Sequence, residues 1–290
     1  MPSQLRIHAT MLGVAILFTA NYLVSKVAMR EIAPLAFAWV RVAGAAIILW
    51  LLARHEGAAP FSRRDARCIV GYSILAVVLN QSLFLSGLSL STVQVAAILV
   101  TSIPVFAVGA AIALGRERAS AARIGGIALA CAGALLVVGR EGLAGTRGSL
   151  LGALMIIANC LAYAMYLVLS KPDMARLSPK SVVARMFVVG TVLLLPISAT
   201  SLARQEWRAV STRAWLAVVL VILAPTVAAY LMQAWALRHA DSSVVAAYTY
   251  VQPVLATFFG ALFFGEQIGA LIILAAAMIF SGVWLAGRMS

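Results

Sequence analysis

Long apolar stretches without a charged side chain divide this chain. The longest, residues 68–115, contains no Asp, Glu, Lys or Arg over 48 residues. Shorter uncharged stretches follow at 148–170, 214–237, 242–265 and 267–287. Each is long enough for a helix that crosses a bilayer, which takes about 20 residues. Polar and apolar residues do not alternate as they would in the strands of a membrane barrel, so the pattern predicts transmembrane helices.

The longest stretch must be divided into two helices. A single helix of its 48 residues would extend about 72 Å, and the hydrocarbon core is only about 30 Å thick. The polar residues Ser89, Ser91 and Thr92 mark the expected turn. The predicted fold class is therefore an all-α integral membrane protein with ten transmembrane helices. They are expected at residues 7–28, 34–53, 68–88, 91–114, 121–139, 149–170, 182–203, 213–237, 242–264 and 267–287.

The composition agrees with a surface that faces lipid. Hydrophobic residues make up 63% of the chain and charged residues 11%, against about 45–50% and about 25% in soluble domains. A net charge of +13 would suggest nucleic acid in a soluble protein. Here most of the basic residues lie between predicted helices or at their ends, where they set orientation and meet lipid headgroups. The expected partner is the lipid bilayer and not nucleic acid, and no cofactor or metal site is expected.

The distribution of basic residues predicts the orientation. Fourteen Lys and Arg residues fall in segments on the same side as the N-terminus, and six fall on the opposite side. Because basic residues concentrate in cytoplasmic loops, both termini are expected in the cytoplasm. The first apolar stretch lacks a clear small-residue cleavage site, so we expect a retained helix and not a signal peptide.

The two halves of the chain repeat one another. Residues 88–140 align with residues 237–289 at a constant offset of 149, which pairs Pro104 with Pro253. Weaker similarity extends upstream, where the chain again matches itself at an offset of 145. An odd number of helices in each half inverts the second half relative to the first. Many transporters use such inverted repeats to obtain two mirror-related open states.

The repeat divides the chain into two expected domains, residues 1–145 and residues 146–290. One passage in each half resembles the EamA-type branch of the drug/metabolite transporter superfamily. It has a small-residue helix start, a proline within the helix and an acidic residue at the helix end. These residues are Ala97, Pro104 and Glu117 in the first half, and Ala246, Pro253 and Glu266 in the second.

The resemblance covers essentially the whole chain and carries implications for fold and function. The second copy keeps the Gly265-Glu266 pair, whereas the first departs from it with Gly115-Arg116-Glu117. The resemblance implies a ten-helix exporter of metabolites in a bacterial inner membrane, in many cases of amino acids. One type in this branch exports aromatic amino acids.

Polar and aromatic residues within the predicted helices are the candidates for substrate binding. Polar groups at membrane depth are costly and usually face an interior cavity, and spacings of three or four place them on one helix face. Such a lining suits a neutral or zwitterionic solute with an apolar or aromatic part. The alternative is that they only join helices to one another. The candidates are Asn21, Tyr22, Asn80, Gln81, Thr101, Asn159, Tyr163, Tyr230, Gln233, Tyr248 and Gln252.

Pro104, Pro253 and Arg41 also lie within predicted helices. Pro104 and Pro253 each remove a backbone donor and crowd the carbonyl four residues earlier. The resulting kinks would be gating hinges, or would only make room for a cavity. Arg41 requires a carbonyl, a carboxylate or a wet cavity, and the sequence assigns it no substrate contact.

The positions of the acidic residues favour facilitated transport. All nine lie at or near helix ends or in loops, whereas proton-driven carriers commonly use buried carboxylates or histidines. We expect a monomeric exporter of small metabolites, foremost aromatic or other neutral amino acids, that works by alternating access. A proton-coupled multidrug or metabolite exporter is the alternative. The chain lacks intramembrane acid pairs, Ser–His sets and metal clusters, so we do not expect an enzyme.

Overall fold

Every regular element that the computed structural model describes is a helix. The described residues are 4–54, 62–116, 120–143, 147–240, 248–250 and 269–287, with isolated positions between 245 and 262. Two π-helical segments, Ile74–Leu79 and Ile222–Ala228, join α3 to α4 and α10 to α11. The α-helices are α1 (Gln4–Ala28), α2 (Pro34–Ala53), α3 (Arg63–Ser73), α4 (Asn80–Ser89), α5 (Val93–Val100), α6 (Ile103–Ala113), α7 (Ala121–Leu143), α8 (Arg147–Arg176), α9 (Pro179–Arg204), α10 (Thr212–Val221), α11 (Ala229–His239) and α12 (Ala270–Gly287).

In the described part of the chain, seven helical segments are long and apolar enough to cross a membrane. Large apolar side chains remain exposed on their outer faces, for example Val192 at 67% and Leu216 at 65%. Two shorter apolar segments lie within α7 and α12. The predicted ninth helix, residues 242–264, lies mostly outside the described residues. The protein is therefore a multi-pass helical membrane protein.

The predicted start of the third helix, at residue 68, is wrong because the helix begins at Arg63. Ser62 Oγ accepts a hydrogen bond from the Asp65 N–H at 3.1 Å, and Asp65 Oδ2 accepts one from the Ser62 N–H at 2.8 Å. This capping box satisfies backbone donors that have no partner inside the helix. The Ser-x-x-Asp pattern is visible in the sequence and could have placed the boundary.

The predicted end of the sixth helix, at residue 170, is also wrong because α8 continues through Pro172 to Arg176. Pro172 has no N–H, so the carbonyl of Val168 loses its donor within the helix. The guanidinium of Arg116 donates a hydrogen bond to this carbonyl instead. A partner from another part of the chain thus allows α8 to pass the proline.

This arrangement makes Arg116 and Pro172 energetically coupled. We expect Arg116→Met to destabilise the protein by roughly 1–3 kcal/mol, because it leaves a buried carbonyl without a donor. In a Pro172→Ala background the same change should cost little, because alanine supplies the missing N–H. Melting temperatures of the two single variants and the double variant measure the coupling. An equal effect of Arg116→Met in both backgrounds would contradict this account.

The predicted fourth helix, residues 91–114, is divided by a turn at Thr101 and Ser102. Their N–H groups bond carbonyls three residues earlier, as in a 3₁₀ turn. Pro104 therefore lies in the first turn of α6, where a missing N–H costs little. The helix is thus interrupted just before the proline. Pro104 does not form the kink within a continuous helix that the sequence predicts. Pro253 is buried, and its neighbours are only partly described.

Corresponding helices of the two halves pack against each other, α2 on α9 and α7 on α12. A Cβ atom on Gly133 would lie 2.9 Å from the carbonyl oxygen of Ala275, and one on Gly282 would lie 2.5 Å from that of Gly126. Gly133 and Gly282 are 149 residues apart, as are Gly126 and Ala275. The contact between α7 and α12 is therefore reciprocal, and small residues allow the two backbones to approach closely.

Two lysines make matching contacts in the two halves. Lys26 Nζ donates to the carbonyl of Ser91 at 2.6 Å, and Lys171 Nζ donates to the carbonyl of Ala240. The lysines are 145 residues apart and their acceptors 149 residues apart. Each ammonium binds a carbonyl just beyond the C-terminal end of a helix, where carbonyls lack helical donors. The weak sequence match around the lysines thus corresponds to a shared contact.

A third pair of contacts links helix ends. Glu31 accepts hydrogen bonds from the Ser211 N–H at 2.6 Å and from its hydroxyl at 2.8 Å, which lower the pKa of Glu31. The contact is therefore present at neutral pH and is lost only as the pH falls through that lowered pKa. The corresponding contact in the other half is the ion pair between Arg176 and Asp65. Arg176 follows Glu31 by 145 residues. Asp65 caps the same helix start as Ser62, which precedes Ser211 by 149 residues.

Candidate substrate-binding site

A cavity lies between helices of both halves, at the middle of several membrane-crossing segments. It brings together eight of the eleven residues predicted to bind substrate. Their amides and phenol groups come from α1, α4, α8, α11 and the segment that follows Tyr248–Tyr250. These residues are Asn21, Tyr22, Asn80, Gln81, Asn159, Tyr163, Tyr230 and Gln252.

Four of these side chains form a hydrogen-bonded network around Asn80. Asn80 Nδ2 donates to Asn159 Oδ1 at 2.7 Å. Gln81 Nε2 and the Tyr230 hydroxyl both donate to Asn80 Oδ1, at 3.0 and 3.1 Å. Each amide is therefore held in one orientation, and the lining is rigid where α4, α8 and α11 meet.

The two π-helical segments position this network. Ile74–Leu79 ends just before Asn80, and Ile222–Ala228 ends just before the turn that carries Tyr230. A π turn shifts the side chains that follow it around the helix, and such segments are frequent at functional sites. Gln81 and Tyr230 are 149 residues apart and hydrogen-bond to each other at 3.2 Å. Corresponding positions of the two halves thus meet in the network.

Aromatic rings surround the polar network. The Tyr230 ring packs edge to face against Phe187 and Phe18, with centroids 5.0 and 6.1 Å apart. Tyr22 packs in the same way against Phe84, with centroids 5.4 Å apart. Such contacts fix the rings and leave apolar faces beside hydrogen-bonding groups. The cavity can therefore hold a molecule with both a polar and an apolar part.

Two contacts tie α1 into the site. The Tyr22 hydroxyl donates to Gln252 Oε1 at 2.8 Å, which joins the first half to the second. Asn21 Oδ1, on the residue before Tyr22, accepts a hydrogen bond from the Ser25 hydroxyl at 2.9 Å. These contacts fix two of the three side chains that α1 contributes to the lining.

Three of the predicted residues do not line the cavity. The hydroxyl of Thr101 donates to the carbonyl of Ile98 in its own helix. Gln233 is buried and accepts a hydrogen bond from the Tyr163 hydroxyl, so it holds a lining residue in place. Tyr248 is half-buried and hydrogen-bonds to His8. Glu117 and Glu266, the acidic residues of the repeated passage, lie outside the described residues.

Several lining residues were not predicted. The most informative is Arg41 on α2, whose side chain is only 2% exposed. Its Nε donates to Thr226 Oγ1 at 2.7 Å. A charged residue within an apolar helix is a visible signal, but the sequence does not show which face of α2 meets the cavity. The other unpredicted lining residues are Phe18, Phe84, Val100, Ile103 and Thr249.

The sequence profile of the EamA-like transporter family matches this chain twice, over residues 5–139 and 150–288. The chain belongs to the EamA-like transporter family. This match confirms the resemblance that the repeated helix-proline-acid passage indicated. The protein is therefore a membrane transporter, and each half of this EamA-like transporter matches the family profile separately.

Relatives support the same assignment over the full length. An uncharacterized transporter of Archaeoglobus fulgidus is 23% identical over 282 residues, which cover 96% of each chain. The uncharacterized transporter YoaV of Bacillus subtilis is 22% identical over 285 residues, 97% of each chain. A protein of known crystal structure shares the fold with a TM-score of 0.69 at 17% identity, over 99% of this chain and 100% of that one. Both named relatives are transporters, which agrees with the expectation that this EamA-like transporter is not an enzyme.

Proposed function

We propose that this transporter exports small metabolites, foremost aromatic or other neutral amino acids, by facilitated transport. The observation that carries the proposal is the chemistry of the cavity. Amides and phenols form a fixed polar network beside aromatic rings, and the described lining residues include no carboxylate and no histidine. A proton-coupled carrier would place such a group on the path.

The lining suits the chemistry of an amino acid. Amide groups such as those of Asn80 and Asn159 donate and accept hydrogen bonds, and ring faces such as that of Phe84 bind apolar side chains. Tyrosine rings also attract an ammonium group placed over their faces. A purely apolar drug would offer no partner to Gln81 Oε1, which has none among the described residues, and this opposes its binding.

The proposal includes alternating access between two inverted repeats of five helices, residues 1–145 and 146–290. Support comes from the contacts at matching positions of the halves. The pairs Glu31–Ser211 and Arg176–Asp65 join helix ends that would lie on opposite faces of the membrane. Opening one pair while the other holds would expose the cavity to one side at a time.

The proposed setting is the inner membrane of a bacterium, with both termini in the cytoplasm. The excess of basic residues on the side of the termini supports this orientation. A monomer suffices for the proposed mechanism, because one chain supplies the lining of the cavity.

Counterflow in proteoliposomes tests the proposal. Vesicles loaded with unlabelled phenylalanine should take up labelled phenylalanine faster than empty vesicles, because an alternating-access carrier returns more quickly when it is loaded. Unlabelled tryptophan and threonine inside the vesicles test the breadth of the substrate class. Uptake that is indifferent to the internal amino acid would contradict the proposed mechanism.

A further inference from the structure

Arg41 is the largest fully buried side chain among the described residues, and its charge has no counter-ion there. In the described part of the chain, ion pairs join Arg176, the last residue of α8, to Asp65 and Asp173, and neither carboxylate contacts Arg41. Arg41 Nη1 is buried and has no hydrogen-bond partner. A guanidinium stays protonated in proteins, so a positive charge borders the cavity without compensation.

A buried unpaired charge is costly, and its retention calls for an anionic partner. The neutral hydroxyl of Thr226 satisfies only the Nε–H of Arg41. Arg41 lines the cavity, and the donors on its Nη1 are the ones left without a partner. Guanidinium presents its donors in a planar fork, which matches the two oxygens of a carboxylate.

A second residue that lines the same cavity also carries an unsatisfied atom. Gln81 Oε1 is buried without a partner. Its orientation is fixed, because Gln81 Nε2 donates to Asn80 Oδ1 and so must face the network. The lining residues therefore carry one unpaired cationic donor and one unpaired neutral acceptor, which complement the carboxylate and the ammonium of a zwitterion.

We infer that Arg41 binds the carboxylate of the transported amino acid, while Gln81 Oε1 accepts a hydrogen bond from its ammonium group. This inference rests on the proposed function and assigns the recognising atoms. It also gives specificity: a molecule with a carboxylate binds better than the corresponding amine. An amine without a carboxylate leaves Arg41 unpaired and adds a second positive charge beside it.

Ligand-induced shifts of the melting temperature of the purified chain measure this specificity without requiring transport. The ligands are phenylalanine, 3-phenylpropanoate, which lacks the ammonium group, and phenethylamine, which lacks the carboxylate. Arg41→Met should weaken binding of the two carboxylates by roughly 10- to 100-fold, as expected for the loss of a charge-assisted hydrogen bond. Binding of phenethylamine should not weaken.

Two further variants control for folding and for charge. Arg41→Lys keeps the charge and loses the fork, so it should bind carboxylates with intermediate affinity. Arg185→Met removes a charge near the corresponding position of α9, at a residue that does not line the cavity, and should bind all three ligands as the original protein does. Thr226 remains bonded to the carbonyl of Val221 at 2.6 Å when Arg41 is replaced, so the site loses no other partner.

The outcomes separate this inference from the proposed function. If the original protein binds no carboxylate, or if Arg41→Met binds 3-phenylpropanoate with unchanged affinity, the role of Arg41 is overturned. If amino acids are transported with an unchanged KM in Arg41→Met, the proposed function stands and the inference fails. If carboxylate binding depends on Arg41 but no amino acid is transported, the inference stands and the proposed substrate is wrong.

Discussion

Replacement of Asn159 by leucine is expected to lower amino-acid transport by roughly 10- to 100-fold, the factor that corresponds to about 1–3 kcal/mol of lost polar contact with the substrate. Asn159 Oδ1 is the acceptor for Asn80 Nδ2 at 2.7 Å, at the centre of the cavity network. Without it, Asn80 Nδ2 has no acceptor, and a substrate loses one fixed polar contact. The initial rate of labelled phenylalanine uptake into proteoliposomes measures the effect.

The same variant distinguishes substrate binding from helix joining. Hydrogen bonds between membrane helices contribute only about 0.6 kcal/mol each to stability, so the melting temperature should change little. Leu161→Ala, at a lipid-facing position of the same helix that is 49% exposed, is the matched control and should transport normally. A variant that melts earlier but transports normally would show that Asn159 only joins helices.

The largest expected loss of stability comes from Gly282→Ala. The added Cβ atom would lie 2.5 Å from the carbonyl oxygen of Gly126 and 2.7 Å from the backbone nitrogen of Ala130. Backbone atoms cannot move aside as a flexible side chain can, so α7 and α12 must separate. Overpacking of this kind costs roughly 1–3 kcal/mol, which should lower the melting temperature by several degrees.

Matched glycines make this prediction specific. Gly133→Ala, at the corresponding position of α7, should destabilise similarly, because its Cβ atom would meet the carbonyl oxygen of Ala275 at 2.9 Å. Gly71→Ala meets no atom within 4 Å and should stabilise α3 slightly, because alanine is the better helix former. Equal melting temperatures for Gly71→Ala and Gly282→Ala would contradict the close packing of α7 on α12.

The apolar pattern predicts the membrane-crossing segments well, because a helix surrounded by lipid must be apolar around most of its surface. The predicted second helix, residues 34–53, coincides with α2 at both ends. The start of α3 was missed although the Ser62 capping box is visible in the sequence. The end of α8 could not be predicted, because the donor that lets it pass Pro172 is Arg116, which lies far away in sequence.

The candidate site, too, could be predicted from the sequence only in part. Helical spacing identifies lining residues such as Asn80 and Asn159, because a polar face within an apolar helix points inward. The spacing argument failed for Thr101, since it assumed a continuous helix and the chain turns there. Whether Arg41 faces the cavity depends on contacts between distant elements, which no local pattern reports.

Net phenylalanine flux in proteoliposomes under a concentration gradient, with and without a pH gradient, tests the central claim most directly. We predict saturable downhill flux without a pH gradient, a strong reduction by Asn159→Leu, and no uphill accumulation when a pH gradient is imposed. Accumulation of phenylalanine or of a cationic dye that requires the pH gradient would contradict the claim. It would identify a proton-coupled exporter whose titrating group lies outside the described cavity.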